Sequence, residues 1–289
     1  MRALTVRGSG PLATVQDLGR PGYAHLGVPA SGAADRGSLR LANRLLGNPD
    51  GAAGIEVSLG GFSMRADDDL IVAVTGPPAR VTVDGRGVGC GVVVPVPADG
   101  ILTVETPLHG CRNYLAVRGG LDVERVLGSA SSDTLSGLGP DAVRPGDVLA
   151  VGEATAPLPA VGAAPTLPMP MGAGPVVLTA SAGPRADRLE NAGSLFTGSW
   201  TVDPASNRVG VRLNRAAGEE LRVRGAAEAA SEGVPLGAVQ IPPSGQPVLF
   251  LADHPVTGGY PVIAVLTAAS VDAAAQLTAG VDVRFRRPN

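Results

Sequence analysis

Residues 69–118, DLIVAVTGPPARVTVDGRGVGCGVVVPVPADGILTVETPLHGCRNYLAVR, decide the fold class of this chain. The stretch contains β-branched runs that begin at positions 69, 79, 91, 101 and 114 and are bounded by Gly, Pro or Asp. Such runs are typical of short strands. They recur about every 10–12 residues, which is the spacing of an antiparallel sandwich or barrel. The sequence therefore predicts a mainly β fold with minor α content.

The second half of the chain continues this pattern. Strand signals resume at positions 176, 199, 208, 220, 247 and 262, so further strands are predicted there. Two helices are predicted between the strands, over residues 34–46 and 271–277. In the first helix, Asp35 is a capping residue, apolar residues recur at helical spacing and Gly47 ends the pattern.

Residues 156–175, APLPAVGAAPTLPMPMGAGP, are predicted to form a linker. Their prolines remove backbone donors and keep the chain extended. This linker separates two predicted domains, residues 1–155 and residues 176–289. A chain of 289 residues is long enough for two domains that each bury a core.

Composition and charge exclude several classes of protein. The hydrophobic fraction of 44% and the charged fraction of 17% indicate a globular rather than a disordered chain. The net charge of −3 gives no basic surface for nucleic acid. The sequence shows no bilayer-spanning apolar run and no signal-peptide core at its start. We therefore expect a cytoplasmic protein that binds neither nucleic acid nor membrane.

The sequence contains no lysine, since all 23 basic residues are arginine. This excludes a Schiff-base lysine, a phosphate-loop lysine and a biotinylated lysine within these residues. If ATP or biotin takes part, we expect the main phosphate contacts or the biotin attachment on another chain. Cys90 and Cys111 form no C-x-x-C pair and the three histidines are scattered, so we expect reduced thiols and no metal site.

Two regions rich in glycine, proline and polar residues lie far apart in the sequence. The first is TVQDLGRPGYAHLGVPAS at residues 14–31, and the second comprises SEGVPLGAVQIPPSGQP at 231–247 and ADHPVTGGYP at 252–261. Segments of this kind are usually loops that present side chains and backbone N–H groups to a ligand. They predict one site assembled from both ends of the chain.

In the first region, Gln16, Asp17 and Arg20 are the leading candidates for function. The arginine offers a planar fork suited to carboxylate or phosphate, and the aspartate accepts a proton or an N–H group. We predict that Asp17 and Arg20 are catalytic and that Gln16 binds substrate. The alternative is a structural ion pair between Asp17 and Arg20 that stabilises the loop.

Three polar residues that follow have two interpretations each. Ser31 is not in a G-x-S-x-G motif, so a hydrolytic triad with His25 is a minor possibility, and we predict a substrate-binding role instead. Asp35 suits either substrate binding or helix capping. Glu56 lies in the apolar setting G-I-E-V, where it would be a catalytic acid or base, or equally a hydrogen-bonded structural carboxylate.

The second region supplies the remaining candidates. The N–H groups of its paired glycines could bind an oxyanion and Tyr260 could donate its hydroxyl in catalysis. The alternative is a tight hairpin with a packed tyrosine. The residues predicted to bind substrate are Arg208, in the earlier segment NRVGVRL at 207–213, and, in this region, Ser231, Glu232, Gln240, Thr257, Gly258 and Gly259.

These same motifs resemble the carboxyltransferase-like family of urea amidolyase. The resemblance runs from residues 14–31 through SLRLANRLLGNP at 38–49 to Glu56, and then through the SEG, GAVQIPPSGQP and TGGYP segments. The family includes allophanate hydrolase subunit 2 and the C-type subunit of ATP-dependent 5-oxoprolinase. The resemblance implies two tandem cyclophilin-like β-barrel domains. One departure is Val256, which stands where the family usually has a threonine.

The resemblance also implies function and partners. It favours a subunit of a cytoplasmic 5-oxoprolinase, which converts 5-oxoproline to glutamate with hydrolysis of ATP. The implied partners are the B-type subunit, which is similar to allophanate hydrolase subunit 1 or a kinase inhibitor, and the A-type subunit. The first alternative is a biotin-dependent carboxyltransferase acting on urea-like amides, with biotin carried by another chain. The second is a non-catalytic antagonist of a kinase inhibitor.

Overall fold

Strands form most of the regular structure in the computed structural model, which describes residues 2–164, 174–191, 193–224 and 230–288. The chain divides into two units. Unit 1 comprises Met1–Arg20, Ser31–Asp133 and Gly137–Pro168, and unit 2 comprises Pro21–Ala30, Thr134–Ser136 and Met169–Asn289. Part of the predicted linker, residues 165–173, lies outside the described residues. The prediction of a mainly β fold with minor α content is confirmed.

Unit 1 contains two antiparallel sheets and one helix. The sheet orders are β11-β1-β4-β9-β6-β7 and β2-β3-β10-β5-β8. The elements are β1 Ala3–Ser9, β2 Leu12–Gln16, α1 Arg36–Leu45, β3 Gly54–Ser58, β4 Phe62–Ala66, β5 Leu70–Thr75, β6 Val81–Val83, β7 Arg86–Gly87, β8 Val93–Val96, β9 Ile101–Val104, β10 Arg112–Val117 and β11 Val148–Ala150.

Strand β10 explains how the core of unit 1 is organised. All six of its residues are buried. Leu115 and Val117 belong to the main apolar cluster, to which both sheets contribute, while Tyr114 and Ala116 pack against apolar residues of α1 on the opposite face. Because both faces are covered, residues 114–117 of this strand lack the alternation of apolar and polar residues expected of a solvent-facing strand.

The predicted first helix is confirmed, with bounds that are slightly narrower than residues 34–46. Helix α1 begins after Asp35, whose side chain accepts a hydrogen bond from the backbone N of Ser38, and it ends before the cap residue Leu46 and the following Gly47. Its buried residues recur at a spacing of three or four, as the sequence indicated. The helix therefore covers the sheet with one apolar face.

Unit 2 contains a closed barrel in the order β12-β19-β16-β17-β14-β13-β20 and a two-stranded ribbon, β15-β18. The parallel pair β12 and β20 completes the ring of strands. The elements are β12 Val176–Ala182, α2 Ser194–Thr197, β13 Ser199–Val202, β14 Gly210–Ala217, β15 Glu232–Gly233, β16 Ala238–Gln240, β17 Val248–Phe250, β18 Thr257–Gly258, β19 Val262–Leu266, α3 Ala268–Ala274 and β20 Asp282–Arg286.

Two predictions in unit 2 need correction. The strand predicted from residue 220 is wrong, because Val223 forms only an isolated bridge with Leu189. The helix predicted over 271–277 begins earlier, since Thr267 caps the amino end of α3 by accepting a hydrogen bond from the backbone N of Ser270. A threonine cap followed by alanines was a local signal for this start.

The single tryptophan and the two cysteines lie in different units. The single tryptophan, Trp200, is buried in unit 2 and donates a hydrogen bond to the backbone O of Leu195 (3.2 Å). Both cysteines lie in unit 1 as free thiols, as predicted. Burial raises the pKa of both the Cys90 and the Cys111 thiol.

No helix in the described part of the chain is long and apolar enough to cross a membrane.

Candidate functional site

Asp17 follows β2 and binds a distant segment of unit 1, residues 129–132, which we call the serine-rich loop. Its Oδ1 accepts hydrogen bonds from the hydroxyls of Ser129 and Ser131, both at 2.6 Å, and from the backbone N of Gly19 at 2.7 Å. Its Oδ2 accepts from the backbone N of Ala130 at 2.8 Å. Asp17 is only 3% exposed. The serine-rich loop thus binds an internal carboxylate in the manner of an anion-binding loop, which favours a positioning role for Asp17.

Arg20 is buried beside the same loop, but it does not pair with Asp17. Its Nε donates to the carbonyl O of Val126 (3.3 Å), and its Nη2 donates to the carbonyl O of Ser131. The ion-pair partner of Asp17 is instead the half-exposed Arg125, at 3.4 Å. The alternative of an Asp17–Arg20 ion pair is therefore wrong. The guanidinium of Arg20 remains available for another role.

Gln16 and Ser31 meet on one backbone carbonyl. The Nε2 of Gln16 and the Oγ of Ser31 both donate to the carbonyl O of Ser132, at 2.9 and 3.1 Å. Ser31 has a φ of +53°, which is unusual for a residue other than glycine and costs free energy. Two of the predicted substrate-binding residues thus lie together with Arg20 and the serine-rich loop.

Glu56 is buried on β3 beneath the start of α1. Its Oε2 accepts hydrogen bonds from the hydroxyl of Tyr114 (2.8 Å) and from the backbone N of Ala34 (3.0 Å), and its Oε1 lies 3.4 Å from Nε of Arg112. The residue is 1% exposed. These contacts favour the structural interpretation of Glu56 over the catalytic one.

Asp35 is held in the same network. Its two carboxylate oxygens accept from the backbone N and the hydroxyl of Ser38, at 2.9 and 2.6 Å, and its own backbone N donates to the hydroxyl of Tyr114 at 2.7 Å. The capping interpretation is therefore the one that the geometry supports. Burial, reinforced by the charges of Glu56 and Asp35, raises the pKa of Tyr114 well above its usual value. The hydroxyl consequently stays protonated and donates to Glu56.

We expect Tyr114→Phe to lower the free energy of unfolding by about 1–3 kcal/mol, because the buried Glu56 loses a donor and the backbone N of Asp35 loses its acceptor. Urea denaturation followed by circular dichroism measures this change. Tyr23→Phe is the control, since it removes a hydroxyl from a partly exposed tyrosine and should leave the midpoint unchanged. Equal midpoints for the two variants would contradict the network described for Tyr114.

In unit 2, two of the sequence motifs pair as the ribbon β15-β18. Glu232 pairs with Gly258 and Gly233 pairs with Thr257, while Ser231 lies exposed just before the ribbon. Glu232 also forms an ion pair with Arg185 at 2.7 Å. The SEG and TGGYP motifs, which are separate in the sequence, are thus brought together by strand pairing.

Gln240 lies under this ribbon. Its Nε2 donates to the carbonyl O of Tyr260 (3.0 Å), and a Cβ at position 258 would lie 2.9 Å from the same Nε2. Gly258 is therefore required for the close packing of the ribbon against the side-chain amide of Gln240. Gly259 and the ring of Tyr260 are half-buried at the end of the ribbon, where they stay candidates for oxyanion binding and proton donation.

Arg208 is bound by a residue that the sequence prediction missed. Its Nε and Nη2 donate to Oδ2 and Oδ1 of Asp253, at 2.9 and 3.0 Å, and the two side chains are 2% and 0% exposed. The backbone N and the hydroxyl of Thr134 also donate to Oδ2 of Asp253, at 3.0 and 2.7 Å. The geometry favours a structural role for Arg208. The signal for Asp253 was its place in ADHP, next to the TGGYP motif.

The electrostatics of Asp253 follow from these contacts. Burial acts to raise its pKa, but the charge of Arg208 and the hydrogen bonds from Arg208 and Thr134 outweigh burial. The pKa of Asp253 consequently lies below its ordinary value. The carboxylate is therefore ionised at neutral pH and paired in a nearly solvent-free setting.

The predicted site residues thus divide into two groups according to the unit in which they lie. Their assembly into one site stays a prediction. In the described part of the chain, no group of three His, Cys, Asp or Glu residues is placed to hold a metal ion. The group in unit 1 contains Gln16, Asp17, Arg20, Ser31, Asp35 and Glu56, and the group in unit 2 contains Arg208, Ser231, Glu232, Gln240, Thr257, Gly258, Gly259 and Tyr260.

Comparison with known proteins identifies relatives along nearly the whole chain. Residues 26–287 match the family described as carboxyltransferase domain, subdomain A and B. The chain is 34% identical over 283 residues to the C-type subunit of 5-oxoprolinase from Escherichia coli (strain K12), covering 96% of this chain and 88% of that protein.

Two crystal structures show the same fold. The structure of TTHA0988 superposes with a TM-score of 0.88 at 36% identity, covering 99% of this chain but only 56% of that one. The urea amidolyase of K. lactis superposes with a TM-score of 0.88 at 29% identity, covering 99% of this chain and 19% of that protein. This chain therefore spans about half the length of TTHA0988 and about a fifth of the urea amidolyase.

Proposed function

Since the chain belongs to the family of the carboxyltransferase domain, subdomains A and B, we propose that it is a subunit of a cytoplasmic, ATP-dependent 5-oxoprolinase. The reaction opens the lactam ring of 5-oxoproline to give glutamate. The similarity to the C-type subunit of 5-oxoprolinase carries this proposal, because it extends over most of both chains. By the same argument, the chain works with partners that resemble the A-type and B-type subunits.

The chemistry of the reaction fits the polar groups in both units. An unstrained lactam is cleaved only after its carbonyl is activated, and the addition step places negative charge on the carbonyl oxygen. We assign the guanidinium of Arg20 in unit 1 to that oxygen. In unit 2, the backbone N–H groups of Gly258 and Gly259 and the hydroxyl of Tyr260 offer hydrogen-bond donors of the same kind.

The other predicted residues have supporting roles in this proposal. Asp17 fixes the serine-rich loop on which Arg20 is held, since three donors of that loop and the backbone N of Gly19 converge on its carboxylate. Gln16 and Ser31 bind substrate beside that loop, and Ser231, Glu232, Gln240 and Thr257 line the ribbon in unit 2. Ring opening is coupled to hydrolysis of ATP, and we place the main phosphate contacts of ATP on a partner subunit because this chain has no lysine.

Reconstitution with the partner subunits tests the proposal. The A-type and B-type subunits are purified with and without this chain, and ATP hydrolysis is measured with and without 5-oxoproline. We expect turnover that requires both 5-oxoproline and this chain, and we expect Arg20→Lys to reduce it about 100-fold or more. Arg86→Lys, an exposed arginine of β7, is the control. Equal turnover without this chain would refute the proposal.

A biotin-dependent carboxyltransferase is the second candidate. The name of the matched family and the superposition on urea amidolyase favour it. The 289 residues contain no lysine that could carry biotin, so the carboxyl group would come from biotin on another protein. Transfer of labelled carboxyl from a biotinylated partner to urea, together with no turnover in the reconstituted 5-oxoprolinase assay, would establish this candidate in place of the first.

A further inference from the structure

Several buried polar side-chain atoms of unit 1 have no hydrogen-bond partner among the residues that the structure describes, and three of them belong to one region. They are Oε1 of Gln16, Nη1 of Arg20 and Oγ of Ser132, on residues that are 0%, 1% and 3% exposed. A buried polar atom without a partner costs folding free energy and is uncommon in native proteins. Three such atoms in one region would find their missing partners in ordered water or in a bound molecule.

Gln16 and Arg20 are both held by backbone carbonyl groups of the serine-rich loop, to which Ser132 itself belongs. Gln16 donates to the carbonyl O of Ser132 at 2.9 Å, and Arg20 donates through Nη2 to the carbonyl O of Ser131. Both carbonyls belong to the segment whose hydroxyls and backbone N bind Asp17. The unpartnered atoms therefore lie around one short segment whose position is fixed by hydrogen bonds.

A glycine allows the guanidinium of Arg20 to fit against this segment. Gly139 has a φ of +87°, and a Cβ there would lie 2.1 Å from the carbonyl O of Ser131 and 3.1 Å from Nη2 of Arg20. Any larger residue would displace either the carbonyl or the guanidinium. The orientation of Arg20 is thus set by its surroundings rather than by solvent.

The unpartnered atoms have complementary chemistry. Nη1 of Arg20 only donates, and Oε1 of Gln16 only accepts. The orientation of the Gln16 amide is fixed, because the opposite one would place Oε1 against the carbonyl O of Ser132. The hydroxyl of Ser132 can donate or accept. A molecule that satisfies this set must present an acceptor and a donor together.

Charge narrows the class of molecule further. The bonded groups of Arg20 are two carbonyl oxygens, and within the described residues its guanidinium has no carboxylate partner. A buried guanidinium is stabilised by an oxygen that carries partial or full negative charge. A plain carboxylate would satisfy Arg20 but would leave the acceptor of Gln16 without a donor.

We propose that Gln16, Arg20 and Ser132 form a site for an amide edge on which C=O and N–H lie on the same side, as in a lactam or in urea. Arg20 donates through Nη1 to the carbonyl oxygen, which also accepts from the hydroxyl of Ser132. Gln16 accepts through Oε1 from the N–H group. This assignment deepens the proposed function, on which it rests for the identity of the natural substrate.

Direct binding to the full-length protein tests the site without any need for turnover. Ligand-observed NMR titration compares 2-pyrrolidinone with N-methyl-2-pyrrolidinone, which keeps the carbonyl but has no N–H group. We expect the N-methyl compound to bind at least about fivefold more weakly, which corresponds to the loss of one hydrogen bond. Equal affinities would overturn the proposal, and so would a crystal structure with 2-pyrrolidinone that shows only water on the three atoms.

Ser132→Ala tests the predicted contact of the hydroxyl. Because this hydroxyl has no protein partner among the described residues, its removal should not lower the urea midpoint but should weaken 2-pyrrolidinone binding about fivefold. Ser244→Ala, on an exposed serine of unit 2, should change neither quantity. Unchanged binding in the Ser132 variant would count against the site.

The two proposals fail in distinguishable ways. If the reconstituted complex hydrolyses ATP in response to 5-oxoproline but the two lactams bind equally, the proposed function stands and the amide site is refuted. If 2-pyrrolidinone binds as expected but the complex shows no such turnover, the amide site stands and the 5-oxoprolinase assignment is refuted.

Discussion

Replacing Asp253 with leucine is expected to lower the free energy of unfolding by about 3–5 kcal/mol. The carboxylate is fully buried and accepts both bonds of the Arg208 fork as well as two bonds from Thr134. Removing it leaves a buried guanidinium without its carboxylate, and such an unpaired charge is far more costly than a lost surface contact. Urea denaturation followed by circular dichroism gives the difference.

A double-mutant cycle shows whether the loss comes from the unpaired charge. Arg208→Met combined with Asp253→Leu should be substantially more stable than either single variant, because the double variant buries no charge. Glu220→Ala breaks an exposed ion pair with Arg222 in the same unit and should have little effect. If the losses in the free energy of unfolding of the two single variants simply add in the double variant, the unpaired charge does not explain the destabilisation.

The same pair predicts a dependence of stability on pH. The pKa of Asp253 is lower in the folded state than its ordinary value, so the folded state binds a proton there less readily than the unfolded state. Its contribution is therefore complete above the unfolded pKa of about 3.9 and is lost as pH falls through the folded value. When the free energy of unfolding is measured against pH, the Asp253→Leu variant should not show this loss of stability in acid. If the wild-type protein instead lost this contribution at a pH above the unfolded pKa, the assignment would be contradicted.

Replacing Asp17 with alanine is expected to cause a loss of similar size, about 3–5 kcal/mol. The change removes the acceptor for two hydroxyls and two backbone N–H groups, most of which are buried, and each unsatisfied buried donor is costly. Asp141→Ala, at an exposed position of the same unit, is the matched control. Urea midpoints measure both variants.

Asp17→Asn separates a positioning role from direct proton transfer. The asparagine keeps only one acceptor oxygen. Either Gly19 and the two serines or Ala130 therefore lose their acceptor. We expect reduced stability together with reduced turnover in the reconstituted complex. Loss of turnover with an unchanged urea midpoint would instead make Asp17 a proton acceptor in the reaction. The pH profile of turnover then shows which role applies, because a structural carboxylate does not add an ionisation to that profile.

Local signals predicted the parts of the fold that depend on neighbours in the sequence. The cap at Asp35 and the end of α1 near Gly47 were predictable because a cap bonds residues within one turn. The β-branched runs likewise marked strands such as β5 and β19. The strand predicted from Glu220 does not form, because a strand also needs a neighbouring strand with which to pair. In this segment only Val223 pairs, through a single bridge with Leu189.

The contacts of the candidate sites could not be predicted in the same way. Asp17 and Ser129 of the serine-rich loop are 112 residues apart in sequence, and Arg208 and Asp253 are 45 apart. Local spacing therefore suggested an Asp17–Arg20 pair that does not form. The motifs at Gln16 and Thr257 marked the segments that carry the candidate residues, because glycine-rich polar segments of this kind are typical of loops that present functional groups. Ser132 had no signal of its own, since only burial distinguishes it from its neighbours.

The distribution of Trp200, Cys90 and Cys111 gives each unit an intrinsic reporter. Indole fluorescence observes unit 2 alone, because the only tryptophan is buried there. Alkylation of thiols observes unit 1 alone, because both thiols lie there and are protected by burial and a raised pKa. The wild-type protein can thus be followed by two signals without labels or substitutions. Coincident transitions indicate one cooperative folding unit, and separate transitions indicate two.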